Sequence, residues 1–240
     1  MSGPVSNFMS APVSVIYQDD YILAVDKRVG TLIHSDGTAR TSGVAAETLT
    51  DQVRAYLEGN GCLQQARDLQ ALHRLDRDTT GIVLFSLNKE TQSLFDALIS
   101  NRDLRKYYLA IVRGEFPEKE RGIALPLGKD RHDARKMRVS KTGKPALTHV
   151  RRLEVRREGS GKRSLMLIEL GTGRKHQIRV HFSALGFPIV GDCLYGDVTS
   201  REPLMLHAYE LAFIHPVTGE NHTLRTEWPA RFSGWSVQNL

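Results

Sequence analysis

Hydrophobic positions come in short runs separated by polar or glycine-rich breaks, a spacing that favours strands over long helices. Two strand-like runs, Val13 to Tyr17 and Tyr21 to Val25, flank the polar Gln18-Asp19-Asp20 and predict an opening hairpin that ends near Gly30. Leu49, Val53 and Leu57 then recur at four-residue spacing on one helical face, and Gly59-Asn60-Gly61 stops that helix. Gly81 to Leu87 is dense in Ile, Val, Leu and Phe and reads as a buried strand. A helix over about Lys89 to Ser100 follows, with Asn88 as its N-cap. Further strands are predicted at Tyr107 to Val112, His149 to Arg156, Ser164 to Leu170, Leu204 to His207, Leu211 to Ile214 and Thr223 to Thr226. The Gly159-Ser160-Gly161-Lys162 turn joins two of these as an antiparallel pair. Many strands with three or four helices predict an α+β domain. No internal repeat and no low-complexity linker divides the chain.

Composition narrows the class. At 240 residues and 40% hydrophobic content, the chain can bury one substantial core. Its 33 Lys and Arg against 27 Asp and Glu leave +6, a balance that attracts polyanions without identifying one. Cys62 and Cys193 are too few and too distant for a disulfide framework or a thiolate zinc site, which fits a reducing compartment. The first 20 residues contain no Lys or Arg, no secretory signal is present, and no run approaches the ~20 apolar residues that span a bilayer. A cytoplasmic protein with no membrane partner, and with residues 1 to 12 as a flexible leader, is expected.

Three segments and the scattered histidines carry candidate chemistry. Between Lys129 and Lys144, seven basic residues (Lys129, Arg131, Arg135, Lys136, Arg138, Lys141 and Lys144) face only Asp130 and Asp133. No apolar period is present, so the segment reads as an exposed basic loop, either able to neutralise phosphates or merely solvated. In Gly171 to His181, a glycine-rich turn enters a helix whose apolar face holds Ile178, Phe182 and Leu185 and which Gly186 ends. Amides at that helix start, with Arg174 and Lys175 beside them, can hold a phosphate, and Arg179 lies one turn beyond Lys175. The nine histidines raise the possibility of a metal. His176 and His181 are five apart and do not share a helical face, however, and His73, His207 and His215 have no ligand spacing. Finally, Asp76 has His73, Arg74 and Arg77 close by in a loop too polar for the core, so it is either a nucleophile or base or half of an ion pair that pins the loop.

The residues of this loop, His73-Arg74-Leu75-Asp76-Arg77-Asp78-Thr79-Thr80-Gly81, resemble the catalytic motif of the RluA-type RNA pseudouridine synthases, H-R-L-D-x-x-T-S/T-G. Three more segments resemble that family in the same order. They are Lys106-Tyr107-Tyr108-Leu109-Ala110-Ile111-Val112-Arg113-Gly114, Gly173-Arg174-Lys175-His176-Gln177-Ile178-Arg179-Val180-His181, and Leu206-His207-Ala208 with Phe213, His215 and Pro216. Tyr17 to Asp20 and Asp26-Lys27 resemble the start of its catalytic domain, with Arg28 where a proline is usual. The resemblance spans Val13 to Arg225 and leaves no chain for the S4-type RNA-binding domain of many relatives. It implies a catalytic domain over 13–232 and a C-terminal tail over 233–240.

What the resemblance implies is a curved, mostly antiparallel mixed sheet in two halves, with flanking helices and a central catalytic cleft. A uridine in structured rRNA or tRNA would be flipped into that cleft and isomerised to pseudouridine. Asp76 would start cleavage of the C1′–N1 bond, Arg179 would pair with Asp76 and keep it charged, and Tyr108 would stack on the base and is a candidate for moving the C5 proton. Tyr107, its neighbour on the strand, would face the other way. Arg74 would enter the space the uridine vacates. Arg77, Lys106, Arg174, Lys175 and His176 would contact RNA, together with Lys129, Arg131, Arg135, Lys136 and Arg138 of the basic loop. Such an isomerisation requires neither a metal nor a cofactor, and a monomer is expected. The alternative from another class is a non-catalytic RNA-binding module that uses the same cleft.

Overall fold

The structure, a computed structural model, describes residues 13–35, 47–159 and 161–235. The expected leader, residues 1–12, lies outside the described residues, as does Ser160 of the predicted turn. Ten strands form one sheet in the order β1 (Ser14–Gln18), β2 (Ile22–Lys27), β4 (Thr80–Ser86), β11 (Leu206–Ile214), β5 (Arg105–Arg113), β10 (Gly161–Leu170), β9 (Thr148–Glu158) and β6 (Glu120–Ile123). The two-residue β3 (Gln70–Ala71) pairs with β4, and β12 (Asn221–Arg225) pairs with β11. Every pairing is antiparallel except that of β4 with β11, which meet in parallel only at His207↔Thr80 and Ala208↔Gly81. The sheet is therefore two antiparallel halves joined by a short seam, the α+β arrangement expected.

That seam depends on one glycine. Gly81 has φ +109°, and a Cβ there would lie 2.1 Å from the Ala208 carbonyl oxygen, so no other residue fits without moving the strands apart. Because β4 begins at this seam, the loop before it opens at the middle of the sheet.

Both faces of the central strands are covered, which explains why β4 is a continuous apolar run. Leu23, Val25, Val83 and Phe85 point into one core with Val53 and Leu57 of α1 (Leu49–Gly59) and with Ile178 and Phe182 of α4 (Gln177–Ala184). The alternate residues Ile22, Ala24, Ile82 and Leu84 point into a second core, closed by Phe95 and Leu98 of α3 (Gln92–Ser100). A capping box between Thr48 and Asp51 starts α1. The short α2 (Leu63–Asp68) had no periodic signature.

Three expectations need correction. Asn88 does not cap α3; its side-chain oxygen accepts the Glu90 and Thr91 amides (2.8 and 3.3 Å), closing a turn that delays the helix to Gln92. The strands predicted at Leu204 to His207 and Leu211 to Ile214 are one strand, β11, irregular between Ala208 and Glu210, where it leaves β4 and takes β12 as its neighbour. The basic segment is not an irregular loop. Leu127–Lys129 (β7) and Met137–Val139 (β8) pair as a hairpin, with Leu127 buried against Ala146 and Val180. Three-residue strands are too short to register as an alternating pattern.

Candidate active site

The loop from His73 to Thr79 is tied down from below. The Arg77 carbonyl accepts the Lys27 ammonium (2.8 Å) and the Gly30 amide (3.0 Å), while Arg77 Nε donates to the Gly30 carbonyl (3.3 Å). Lys27 is fully buried and donates also to the Arg28 carbonyl (3.0 Å); burial pushes its pKa down to about 8. The Thr79 amide donates to the Asp76 carbonyl (3.1 Å). Beyond it, Thr80 Oγ1 lies 2.8 Å from His207 Nδ1, and the opposite His207 nitrogen lies 2.6 Å from Thr226 Oγ1. Arg231 donates to Thr80 Oγ1 and to the Leu206 carbonyl. Held by these bonds, Asp76 projects its half-buried carboxylate into a cavity of about 590 Å³.

Arg179, on α4, reaches Asp76 across 103 residues of sequence: its Nη1 lies 3.4 Å from Asp76 Oδ2. The rest of the guanidinium is gripped by Asp192, with Nε to Oδ2 at 2.8 Å and Nη2 to Oδ1 at 2.9 Å. Both partners are buried, and Asp192 Oδ1 accepts the Leu194 and Tyr195 amides as well (3.0 Å each). Burial pushes the Arg179 pKa down, but the hydrogen bonds and charge of Asp192, then the charge of Asp76, outweigh it and raise it above the usual arginine value. The result is a permanently charged fork with one arm left for Asp76.

On the other side of Asp76, His176 places Nε2 at 3.8 Å from Oδ1. His176 adopts φ +56°, a left-handed backbone conformation uncommon for a non-glycine residue, and it is the residue from which α4 starts. Its Nδ1 lies 2.6 Å from the Tyr195 hydroxyl, whose oxygen accepts the Met137 amide (2.8 Å). Burial pushes the Tyr195 phenol up to about 12 and lowers the His176 imidazole despite the pull of Asp76. In the tautomer where the Tyr195 hydroxyl donates to Nδ1, the neutral imidazole carries its proton on Nε2, the nitrogen facing Asp76.

Tyr108, on β5, lines the same cavity and is 6% exposed. Burial, and then the Asp76 charge, raise its phenol far above the ordinary tyrosine range, so it is a neutral ring with a protonated tip. Tyr107 turns to the opposite face, beside Glu169.

The fold thus brings Asp76, Tyr108, Arg179, His176, Arg74, Lys106, Arg174 and Lys175 around one cavity. It leaves the Arg77 side chain outside, against Gly30. Arg174 Nε donates to the Pro145 carbonyl (3.1 Å), and Gln177 Oε1 accepts the Arg174 amide (3.1 Å), so the predicted phosphate cradle at the helix start is partly occupied by its own side chain. The basic hairpin lies beside α4, away from the cavity lining, joined to it by the Met137–Tyr195 bond. Arg135 within it is paired with Asp133 (2.7 Å).

His181 and His207 are bonded on both ring nitrogens, to Thr148 and Leu125 and to Thr80 and Thr226 respectively, as parts of the framework. Asp192 and Tyr195 went unnoticed in the sequence, where they stand in an aperiodic stretch. The available signal was that Asp192 is the first acid after Arg179, and a buried arginine needs a carboxylate.

The chain is similar to known proteins over most of its length. The family model described as RNA pseudouridylate synthase matches residues 21–184. Ribosomal large subunit pseudouridine synthase C of Escherichia coli is 35% identical over 228 residues, covering 90% of this chain and 66% of the relative. tRNA pseudouridine synthase C of Pectobacterium carotovorum is 32% identical over 246 residues, covering 94% of this chain and 62% of the relative. The chain therefore spans slightly less than two thirds of the length of either. Among solved structures, human RNA pseudouridylate synthase domain containing 1 superposes with a TM-score of 0.73 at 30% identity, covering 95% of this chain and 86% of that one.

Proposed function

The chain belongs to the RluA-type RNA pseudouridine synthases, and from that premise we propose that it isomerises a uridine of structured RNA with Asp76 as the residue that opens the reaction. The observation that carries this reading is the convergence of the Asp76 carboxylate, the Asp192-clamped Arg179 and the buried Tyr108 in one cavity.

In this reading the uridine leaves its helix and enters the cavity, where its ring lies on Tyr108. Asp76 drives scission of the C1′–N1 bond. The base turns, C5 bonds to C1′, the C5 proton departs, and N1, which kept the electron pair of the broken bond, takes up a proton. Arg179 holds the carboxylate in place throughout, and the neutral His176 offers its Nε2 proton to the same carboxylate. The protonated phenol of Tyr108 can relay the C5 proton only through its oxygen, with the ring as the platform. Arg74 is exposed at the cavity rim without a side-chain partner among the described residues, as a group that enters the vacated helix position must be.

The relatives are named for large-subunit ribosomal RNA and for tRNA, which supports structured RNA of one or both kinds as substrate. The same reading has the enzyme act as a cytoplasmic monomer. No helix among the described residues is long and apolar enough to cross a membrane. It further makes residues 13–232 the catalytic domain.

Asp76→Asn is the direct test. With total RNA labelled with 5-tritiated uridine and drawn from cells lacking the gene, the variant is expected to lose tritium release while retaining RNA affinity. Undiminished release by the variant would remove Asp76 from the chemistry; binding without release by the wild-type protein would point to a binding module.

A further inference from the structure

The proposed chemistry uses only part of the cavity. From Asp76 the cavity continues along β5, past Lys106, to the end of α3 at Ile99 and Arg102. Lys106 and Tyr108 are two residues apart on one strand, so they share a face, with Lys106 about 7 Å farther from the seam. Among the described residues, Asp76 is the only acid lining the whole cavity.

Lys106 is an unusual lysine. It is half-buried, and burial alone lowers its pKa, with no carboxylate among the described residues drawing it back. No hydrogen bond or ion pair engages its ammonium among the described residues, and a Cβ on Gly173 would stand 3.9 Å from Nζ. His73 lies beside it along the same wall. Its Nε2 accepts the Leu84 amide (3.1 Å), and burial, reinforced by the Lys106 charge, pushes its pKa down to about 3. The neutral ring therefore carries its proton on Nδ1, and that buried atom has no acceptor.

An ammonium that faces a cavity without an acceptor is free to take the charge of a ligand. Here the Lys106 ammonium stands in the arm of the cavity next to the base platform, beside the neutral His73 ring. We propose that Lys106 forms the subsite for the phosphodiester adjoining the flipped uridine, with the ammonium on a non-bridging oxygen. The assignment rests on the isomerase reading only for the identity of the neighbouring nucleoside. A phosphodiester satisfies the subsite better than a uracil carbonyl because it supplies the negative charge that Lys106 lacks.

Binding of fluorescein-labelled dodecauridylate, followed by anisotropy over a series of KCl concentrations at pH 7, tests this. Lys106→Gln should weaken binding and reduce the slope of log affinity against log salt by about 0.7, the value for one phosphate contact on a single strand. Lys106→Arg should restore most of the slope. Lys106→Met should melt at or above the wild-type temperature, since it removes a half-buried charge with no carboxylate partner among the described residues. An unchanged slope in Lys106→Gln overturns the proposal, and if turnover at saturating RNA falls at the same time, Lys106 instead faces the uracil. Tritium release by the wild-type protein from total RNA is read separately. Its absence would defeat the isomerase reading while leaving a changed salt slope as proof of the anion subsite.

Discussion

Arg179 shows how much of an active site is decided by one side chain's second partner. A guanidinium that met Asp76 alone would be free to rotate; with Asp192 on two of its nitrogens, only one direction remains. Asp192→Asn should leave Arg179 as a poorly compensated buried charge, at a cost of about 3–5 kcal/mol. For a domain of this size, a fall in melting temperature on the order of 10 °C follows. Turnover should drop by about 10²-fold through the misplaced arginine, with RNA affinity little changed. Thermal unfolding and single-turnover tritium release measure the two effects, and wild-type turnover in this variant would show that Asp192 does not position the site. Asp76 and Arg179 stood out in the sequence because each sits in a motif. Asp192 did not, since a pair thirteen residues apart across an irregular turn leaves no periodic trace.

At the scale of elements, the basic hairpin β7–β8 is the clearest revision. Its acids are occupied within the turn: Asp130 accepts the His132 and Asp133 amides (2.8 and 3.1 Å), and Asp133 holds Arg135. This leaves Lys129 and Arg131 without a carboxylate salt bridge among the described residues, while Lys136 feels only the charge of Asp133. The hairpin is fastened to the site through the Met137 amide on the Tyr195 hydroxyl, which in turn meets His176. Neutralising Lys129, Arg131, Lys136 and Arg138 together to Gln should weaken RNA binding and lower the salt slope by roughly one to three, at ~0.7–0.9 per phosphate lost. The modified uridine should stay the same. Mapping of pseudouridines alongside salt-dependent affinities checks both parts, and an unaltered slope would mean that the hairpin is only solvated.

For the whole molecule, the buried histidines link folding to pH. Burial holds His207 and His73 down at about 3, in His207 with help from the Arg231 charge. In the unfolded chain a histidine titrates near 6.5. Below that pH the unfolded chain binds protons that the folded one refuses, so the stability contributed by the neutral rings is complete above about 6.5 and declines as pH falls toward 3. The two rings together should remove roughly 3–4 kcal/mol between pH 7 and 5. Urea unfolding at the two pH values measures it. His207→Asn should flatten the dependence by about half; equal stability at both values in the native protein would contradict the burial argument.

Local period alone carries the alternating strands and the amphipathic α1 and α4. The grouping of Asp76, Tyr108 and Arg179 is legible only through the resemblance of their segments to family motifs, since the residues around Asp76 fit an ion pair as well as a nucleophile. Folding in three dimensions sets the parallel meeting of β4 and β11 over two residues at Gly81, the orientation of Arg179 by Asp192 and of His176 by Tyr195, and the place of Lys106 in the cavity with no counter-charge on its ammonium among the described residues. These are contacts between segments scores of residues apart, or across irregular turns. Their energies come from burial and pairing, which no local pattern records.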